Sequence, residues 1–555
     1  MKTLYHFYKI LKIKSGFIIM LVFFIQFTFI GTSTRLSYAE NESFKDVTQT
    51  HWAYNIIETM VNEGLIPRSE KFGIGTSVTE VDMTTILSKI KPNEAYDMNF
   101  DQQHRLTRRE AIDVIFDWLS IDKISNQLGE QASPFVDTFE KDTFLNLANR
   151  FGWVSINFAK TFRPDQLIKK EELIALLYNV SNSYNSSFEL LHSYYAISSF
   201  SQADFSSQLN SLSYGWARLE FDKNKENVIL NMTSANSNEY RVPTGYASAL
   251  EATDVESISK QLMVFVKDET TIDSESGKTI TLAESILNSS SFSDQVITSI
   301  IDAASQNAFK IEFQGVLIDF EGLKGEDNAK RYNEFVVKLD KELEKLNLSL
   351  YIAVHPERGD ALTYFDGYDF KTLGNNADYI ILMAHDYYAK KLSTSEMLLG
   401  YTVTPLSPIN EVYYALNAIT DPISGVSDTK KVLLQFSFDT AQWKVENNQI
   451  INSTPYHPTY ATIAQKIDDG AMVKYSSALQ SAYIEFYENN IKSIVWYEDE
   501  RSIQAKTDVA KYFGLGGISL WRLGIIPEYE SDINQYMNVW SQILTNFDLQ
   551  QIELK

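Results

Sequence analysis

Phe313-Gln314-Gly315-Val316-Leu317-Ile318-Asp319-Phe320-Glu321 is the stretch on which the fold turns. Side chains alternate along a strand, so Val316, Ile318 and Phe320 share one face while Leu317, Asp319 and Glu321 share the other. The first face is wholly apolar and suits a covering layer of helices. The second carries two carboxylates, the higher at the C-terminal end of the run. A short, nearly continuous apolar run of this kind fits a parallel sheet covered on both sides.

Seven further runs share that character: Leu191–Ile197, Tyr214–Glu220, Gln261–Val266, Ser349–Val354, Tyr379–Met383, Lys431–Phe436 and Gly517–Trp521. Amphipathic stretches such as Asp294–Asn307, Ala329–Leu346 and Ser502–Phe513 lie between them. Repeated βα units within residues 190–547 predict a closed (β/α)₈ TIM barrel of the α/β class. A doubly wound open sheet is the alternative, weakened by the lack of a Gly-rich phosphate loop after the first strand. The interval from Phe436 to Gly517 is too long for one crossover helix and contains the strand-like Ile494–Trp496. A small insertion before the last strand is therefore expected.

Residues 43–180 follow a different rhythm, that of short helices. Trp52, Ile56, Ile57, Met60 and Val61 recur at helical spacing ahead of Gly64, a natural terminator. Thr107 and Glu110 make a capping box for a helix through Ala111, Val114, Ile115 and Trp118, and a third helix is expected over Lys169–Val180. Residues 181–189, rich in Ser and Asn, read as a linker. Lys2, Lys9, Lys12 and Lys14 precede the apolar Phe17–Ile30, and Ser37-Tyr38-Ala39 offers small residues to a signal peptidase. Residues 1–39 thus read as an export signal or, failing cleavage, a membrane anchor. After cleavage no membrane contact is expected.

The 555 residues suggest two to four domains and include no cysteine, which excludes thiol catalysis and cysteine-ligated metals. For an exported chain this suits a Gram-positive-type surface better than a eukaryotic secretory route. With 72 acidic and 49 basic residues the net charge is −23, which disfavours nucleic acid as a partner. The seven histidines lack ligand spacing, so no metal site is predicted.

Barrels place their chemistry at the C-terminal ends of the strands. Two acids held there in a partly desolvated site cannot both ionise easily, and a carboxyl kept protonated is what protonates a leaving glycosidic oxygen. The plainer reading of Asp319 and Glu321 is a helix-start cap or a partner for Lys324.

The same strand resembles the Asp-x-x-Asp-x-Asp-x-Glu signature of glycoside hydrolase family 18, the chitinase and peptidoglycan-glucosaminidase family. Glu321 matches the general acid and Asp319 the adjacent aspartate, while Gln314 and Leu317 stand at the outer aspartate positions. Met383-Ala384-His385-Asp386 resembles the sixth-strand Met-x-Tyr-Asp motif, with His385 in place of the tyrosine. Gly516–Gly524 resembles the eighth strand, whose tryptophan, here Trp521, floors the sugar subsite. Val495–Ser502 with Gln504-Ala505-Lys506 resembles the stretch before that strand in spore-germination glucosaminidases.

This resemblance implies substrate-assisted, retaining hydrolysis without a cofactor. The substrate's acetamido oxygen attacks the anomeric carbon, Asp319 orients that group, and Glu321 protonates the leaving oxygen and then deprotonates water. It also implies substrate contacts for Met383, His385, Asp386 and Trp521. The substrate implied is a β-1,4-linked glycan containing N-acetylglucosamine, peptidoglycan ahead of chitin. The substitutions at 314, 317 and 385 also fit a non-catalytic, lectin-like barrel. Gln435-Phe436-Ser437-Phe438-Asp439 stands where relatives carry a Gly-rich turn with tyrosines, so the cleft is expected to be remodelled there.

Upstream, Phe44-Lys45-Asp46-Val47 with His51-Trp52-Ala53 resembles the opening of an S-layer homology module. Phe135-Val136-Asp137 and Phe162-Arg163-Pro164-Asp165 resemble the opening and mid-module turn of another, and Thr107-Arg108-Arg109-Glu110 resembles the Thr-Arg-Ala-Glu signature. The signature's arginine becomes Glu80 in the first repeat and Lys169 in the third. The resemblance implies that Arg108, with Lys169 second, contacts an anionic secondary cell-wall polysaccharide. It would hold the chain outside the cell in the wall or S-layer of a Gram-positive-type bacterium.

Overall fold

A strand that buries both faces must close or be covered, and here it does both. Strands β1 (Leu190–Tyr195), β2 (Ser211–Asp222), β3 (Ser259–Val266), β4 (Gly315–Asp319), β5 (Ser349–Val354), β6 (Tyr379–Leu382), β7 (Val432–Ser437) and β8 (Gly517–Trp521) pair in parallel in chain order. Pairing of β8 with β1 closes the ring. The computed structural model describes residues 44–91, 103–222, 226–233, 245–253, 257–272, 277–305, 311–358, 366–529 and 536–548, so the signal expected at 1–39 lies outside it. All eight runs read from the sequence become barrel strands, and the open-sheet alternative is excluded by the closing pair.

Alternation behaves as the sequence requires. Val316, Ile318 and Phe320 join the large core shared with the helices. Leu317 lies inside the ring with Tyr194, Met263, Tyr351, Ile381 and Leu433. The ring is tight at its seam: a Cβ on Gly517 would stand 2.1 Å from the Leu190 carbonyl oxygen and 2.8 Å from Leu433. Only glycine lets β8 approach both neighbours so closely.

The helix Glu326–Leu346 shows how the outer layer is written. Its buried Tyr332, Phe335, Val336, Leu339 and Leu343 recur at 3–4 residue spacing. Acidic Glu326 and Asp327 suit the positive end of the helix, and Asn347 ends it in the left-handed conformation at φ 55°. Fully burying each such aliphatic or aromatic side chain stabilises by about 1.5–3 kcal/mol. A charge at Val336 would break that contact.

The insertion before β8 exceeds the single run legible in the sequence. Strands Ala441–Glu446, Gln449–Ile450, Met472–Ser476, Ser481–Glu488 and Ile491–Tyr497 make an antiparallel sheet covered by the helix Tyr460–Asp468. Its return to the barrel is held by a buried ion pair, Lys506 Nζ to Glu498 Oε2 at 2.6 Å, with Ser502 Oγ donating to the same oxygen at 2.5 Å.

Residues 44–184 contribute the helices Tyr54–Asn62, Glu80–Ile90, Arg108–Trp118, Asp122–Leu128, Thr143–Arg150 and Lys170–Tyr184. The capping box of Thr107 and Glu110 forms as read. Short extended segments ending at Thr79, Thr107 and Lys169 bond to one another, and each leads straight into a helix. Leu106 N–H donates to the Val78 carbonyl and Ile168 N–H to that of Leu106. In this register Glu80, Arg108 and Lys170 are the first helical residues, so Lys170, not Lys169, is the counterpart of Arg108.

The linker read at 181–189 is not a free spacer. The helix continues to Tyr184 because Ser183 Oγ bonds back to the Asn179 carbonyl and accepts from Trp153 Nε1. Beyond it, Phe188 is buried against Phe547. Arg150 reaches the barrel's helix Ile409–Ile419, with Nε donating to Asn417 Oδ1 at 2.6 Å and Nη2 to its carbonyl at 2.7 Å. Phe151 packs on Tyr512 and Phe513 at 5.3 and 5.2 Å, and Trp153 on Tyr512 at 5.2 Å.

Candidate active site

The mouth of the ring is formed by the last inward side chain of each strand and the residues just beyond. From β4 come Asp319 and Glu321, from β5 His355, from β6 Met383 and His385, from β7 Gln435 and Ser437, and from β8 Trp521. Tyr368 pins the end of β4 by donating its hydroxyl to the Phe320 carbonyl at 2.6 Å.

Asp319 is buried, and its Oδ1 has no hydrogen-bond partner. Burial, reinforced by the Glu321 charge, pushes its carboxyl well above the usual carboxylate range. Glu321 is 45% exposed in its side chain, and His355 Nε2 stands 4.0 Å from its Oε2. Desolvation raises Glu321 too; His385 pulls it down, while Asp268 and Asp386 push it up. The two acids therefore share protons as a pair. His355, absent from the sequence reading, is pulled down to about 4 by burial and the charge of His385, so it faces Glu321 neutral at pH 7.

His385 differs from what the tyrosine position suggests. Its Nε2–H donates to Gln435 Oε1 at 2.6 Å, and Nδ1 stands 3.2 Å from Asp386 Oδ2. Nε2–H is thus taken up by Gln435, while the buried Nδ1 faces the Asp386 carboxylate without a well-formed hydrogen bond. Burial opposes its charge, but Asp386, Gln435 and Glu321 together raise its pKa. Burial likewise opposes the Asp386 charge, but His385, Lys390 and Ser437 together outweigh it, so that Asp386 is lowered. Asp386 holds a left-handed backbone, φ 58°, that aspartate tolerates better than most residues.

Met383 is buried within the ring. Trp521 meets Tyr194 edge-on at 4.9 Å and lines a cavity of about 520 Å³ with Asp386, Asp439, His457 and Arg522. Asp439 accepts from Tyr388 Oη at 2.6 Å and lies 3.1 Å from His457 Nδ1. Asp439 belongs to the stretch expected to be remodelled, whereas His457 was not singled out by the sequence, because nothing local marks a residue of the insertion as facing the barrel. Gln314, read as an outer-aspartate position, sits at the strand's other end, where it accepts from Lys260 N–H at 2.9 Å.

Arg108 and Lys169 lie elsewhere, in the helical region. Arg108 pairs with Glu172 at 2.8 Å, donates to the Phe162 carbonyl at 2.7 Å and stacks on the Phe162 ring. It lines a 260 Å³ groove with Trp52, Arg163 and Asn179. Lys170 stacks on Phe72 in the same manner, at 4.9 Å.

A ring of parallel strands with a coupled acid pair at its mouth defines a glycosidase-like site, and comparison with known sequences supports that class. Residues 278–525 match the profile of glycosyl hydrolases family 18. It is 23% identical to the cortical fragment-lytic enzyme of Bacillus anthracis over 246 residues, 44% of this chain and 53% of that one. It is 24% identical to the enzyme of the same name from Bacillus subtilis (strain 168), again covering 44% and 53%. The chain thus spans about half the length of these relatives. The structure of the Bacillus cereus spore cortex-lytic enzyme SleL aligns with a TM-score of 0.49 at 19% identity, covering 65% of this chain and 75% of that one.

Proposed function

We propose that the barrel hydrolyses β-1,4 linkages of an N-acetylglucosamine-containing glycan, peptidoglycan ahead of chitin, by substrate-assisted retaining catalysis. The observation that carries this is the inward pair at the end of β4, a deeply buried Asp319 beside a half-exposed Glu321, both shifted upward. Asp319 holds an acetamido N–H with its unpartnered Oδ1 and so aims the acetamido oxygen at the anomeric carbon. Glu321 protonates the leaving oxygen and then takes a proton from water. The charge on Glu321 after the first transfer is met by His385. Trp521 offers its face to the sugar's C–H surface.

Export through residues 1–39 and retention in the wall by residues 43–180, acting as degenerate S-layer homology modules, complete the reading. The support for retention is the groove holding Trp52 and Arg108, with Lys170 stacked on its own phenylalanine in the manner of Arg108.

Digestion of defined peptidoglycan by the wild type and Glu321→Gln tests the catalytic reading. New N-acetylglucosamine reducing ends from the wild type alone are expected. N-acetylmuramic acid ends would refute the linkage class, and equal, negligible release by both proteins would favour a lectin-like barrel. Sedimentation of the full chain with purified wall polysaccharide, lost in Arg108→Ala, tests retention.

A further inference from the structure

The interior of the barrel carries a buried polar row that the catalytic reading does not use. His192 on β1, Ser213 on β2, Gln261 on β3, Gln435 on β7 and Ser519 on β8 are each no more than 2% exposed. His192 Nδ1 lies 2.9 Å from Ser519 Oγ and Nε2 lies 2.9 Å from Ser213 Oγ. Ser213 Oγ donates to Gln261 Oε1 at 3.4 Å, and Gln435 Nε2 donates to Ser519 Oγ at 3.4 Å.

With Gln435 Oε1 taking the His385 Nε2 proton, the donors along the row run in one consistent direction. Burial drives the His192 pKa down to about 3, so the ring is neutral, with one N–H and one acceptor nitrogen. The Gln261 oxygen accepts the Ser211 hydroxyl at 2.8 Å and the Ser213 hydroxyl at 3.4 Å, and with its proton turned that way Ser213 accepts from His192 Nε2–H. His192 Nδ1 then accepts the Ser519 hydroxyl, whose oxygen is left to accept from the Gln435 amide nitrogen. That places the Gln435 carbonyl oxygen on the far side, where it meets His385 Nε2–H at 2.6 Å. A fully satisfied buried network of this kind fixes orientations because any flip leaves a buried donor or acceptor unpaired.

We propose that Gln435 is a positioning residue for the reaction: its amide, oriented by Ser519 and His192, turns His385 Nε2–H away from the substrate and Nδ1 onto Asp386, holding the imidazole beside Glu321 as its counter-charge. The groups that face His385 are Asp386 from its own loop, Glu321 from the end of β4 and His355 from the end of β5, with Lys390 behind Asp386 and Asp319 behind Glu321. The inference rests on the glycosidase reading for its consequence but not for its geometry.

The test compares Gln435→Leu, which removes the acceptor, with Gln435→Glu, which keeps one. In the full chain, proton NMR follows the titration of His385, assigned through His385→Asn, and kcat and KM on peptidoglycan fragments are measured against pH. Gln435→Leu is expected to lower the His385 midpoint by about one pH unit or more. It should also lower kcat roughly tenfold with KM within about twofold, and move the alkaline limb upward because Glu321 loses its counter-charge. Gln435→Glu is expected to raise the midpoint and keep kcat within a few-fold of the wild type.

A His385 midpoint unchanged in Gln435→Leu, or a Gln435→Glu protein as slow as Gln435→Leu with the same pH profile, overturns the proposal. If Gln435→Leu does not fold, Ser519→Ala carries the test, with a smaller shift of the same sign expected and no shift overturning it. A shifted midpoint in a chain whose wild type cleaves no glycan leaves the positioning intact and refutes the glycosidase reading.

Discussion

Replacing Glu498 by Gln should loosen the junction between the insertion and β8 far more than removing its partner's charge as well. The pair is 2.6 Å apart with side-chain exposures of 0% for Lys506 and 1% for Glu498. In Glu498→Gln the ammonium keeps the Gln480 carbonyl at 3.4 Å as its remaining named partner, so a buried charge is left almost uncompensated. Breaking one side of such a pair costs about 3–5 kcal/mol, whereas an apolar pair of similar volume is often neutral or stabilising. At about 1.4 kcal/mol per decade, that loss multiplies local opening roughly 150-fold at the lower figure and several thousand-fold at the upper. The assay is amide hydrogen exchange across the helix Glu500–Tyr512, which begins at this junction. Glu498→Leu/Lys506→Met should exchange within about tenfold of the wild type. If the single and double variants exchange alike, the pair is not what holds the junction, and the reasoning fails.

Three further outcomes are expected. Glu321→Gln should lower kcat by roughly 10²–10⁴-fold with little change in KM; a KM effect alone would contradict its role as acid. Because catalysis needs the proton on Glu321 and its pKa is raised, the wild type's activity should persist above the ordinary carboxylate range and fall as pH rises through the raised value. A pH–rate profile with an alkaline limb near the ordinary glutamate value would show the desolvation argument to be wrong. Gly517→Ala should destabilise the barrel by more than about 3 kcal/mol, since the new methyl meets backbone at 2.1 Å, and a thermal midpoint within a degree of the wild type would refute the tight seam.

The barrel was legible because each strand repeats one physical instruction, a short and mostly apolar run followed by a helical stretch. The alternation of residues 315–321 was enough to turn Asp319 inward, where it is buried, and to bring Glu321 to the rim beside His355. The insertion was read only in part, because its strands are half exposed and carry polar alternation that resembles loop. His355 and Gln435 escaped as site residues for a different reason: their meaning lies in what they meet across the ring, at positions distant in sequence. The linker failed because serine and asparagine favour turns only when their side chains have no better partner. Here Ser183 finds one in its own helix and another in Trp153. Lys169 was misassigned by a single step, since a capping residue and the first helical residue are indistinguishable until the cap is seen.

The clasp formed by Arg150, Phe151 and Trp153 on the barrel's flank has a consequence for reach. A protein on a tether sweeps a sphere and meets its target by chance orientation. Here the helical half is clamped to the barrel's flank, so any ligand bound to the helical half would also set the direction of the barrel's open end.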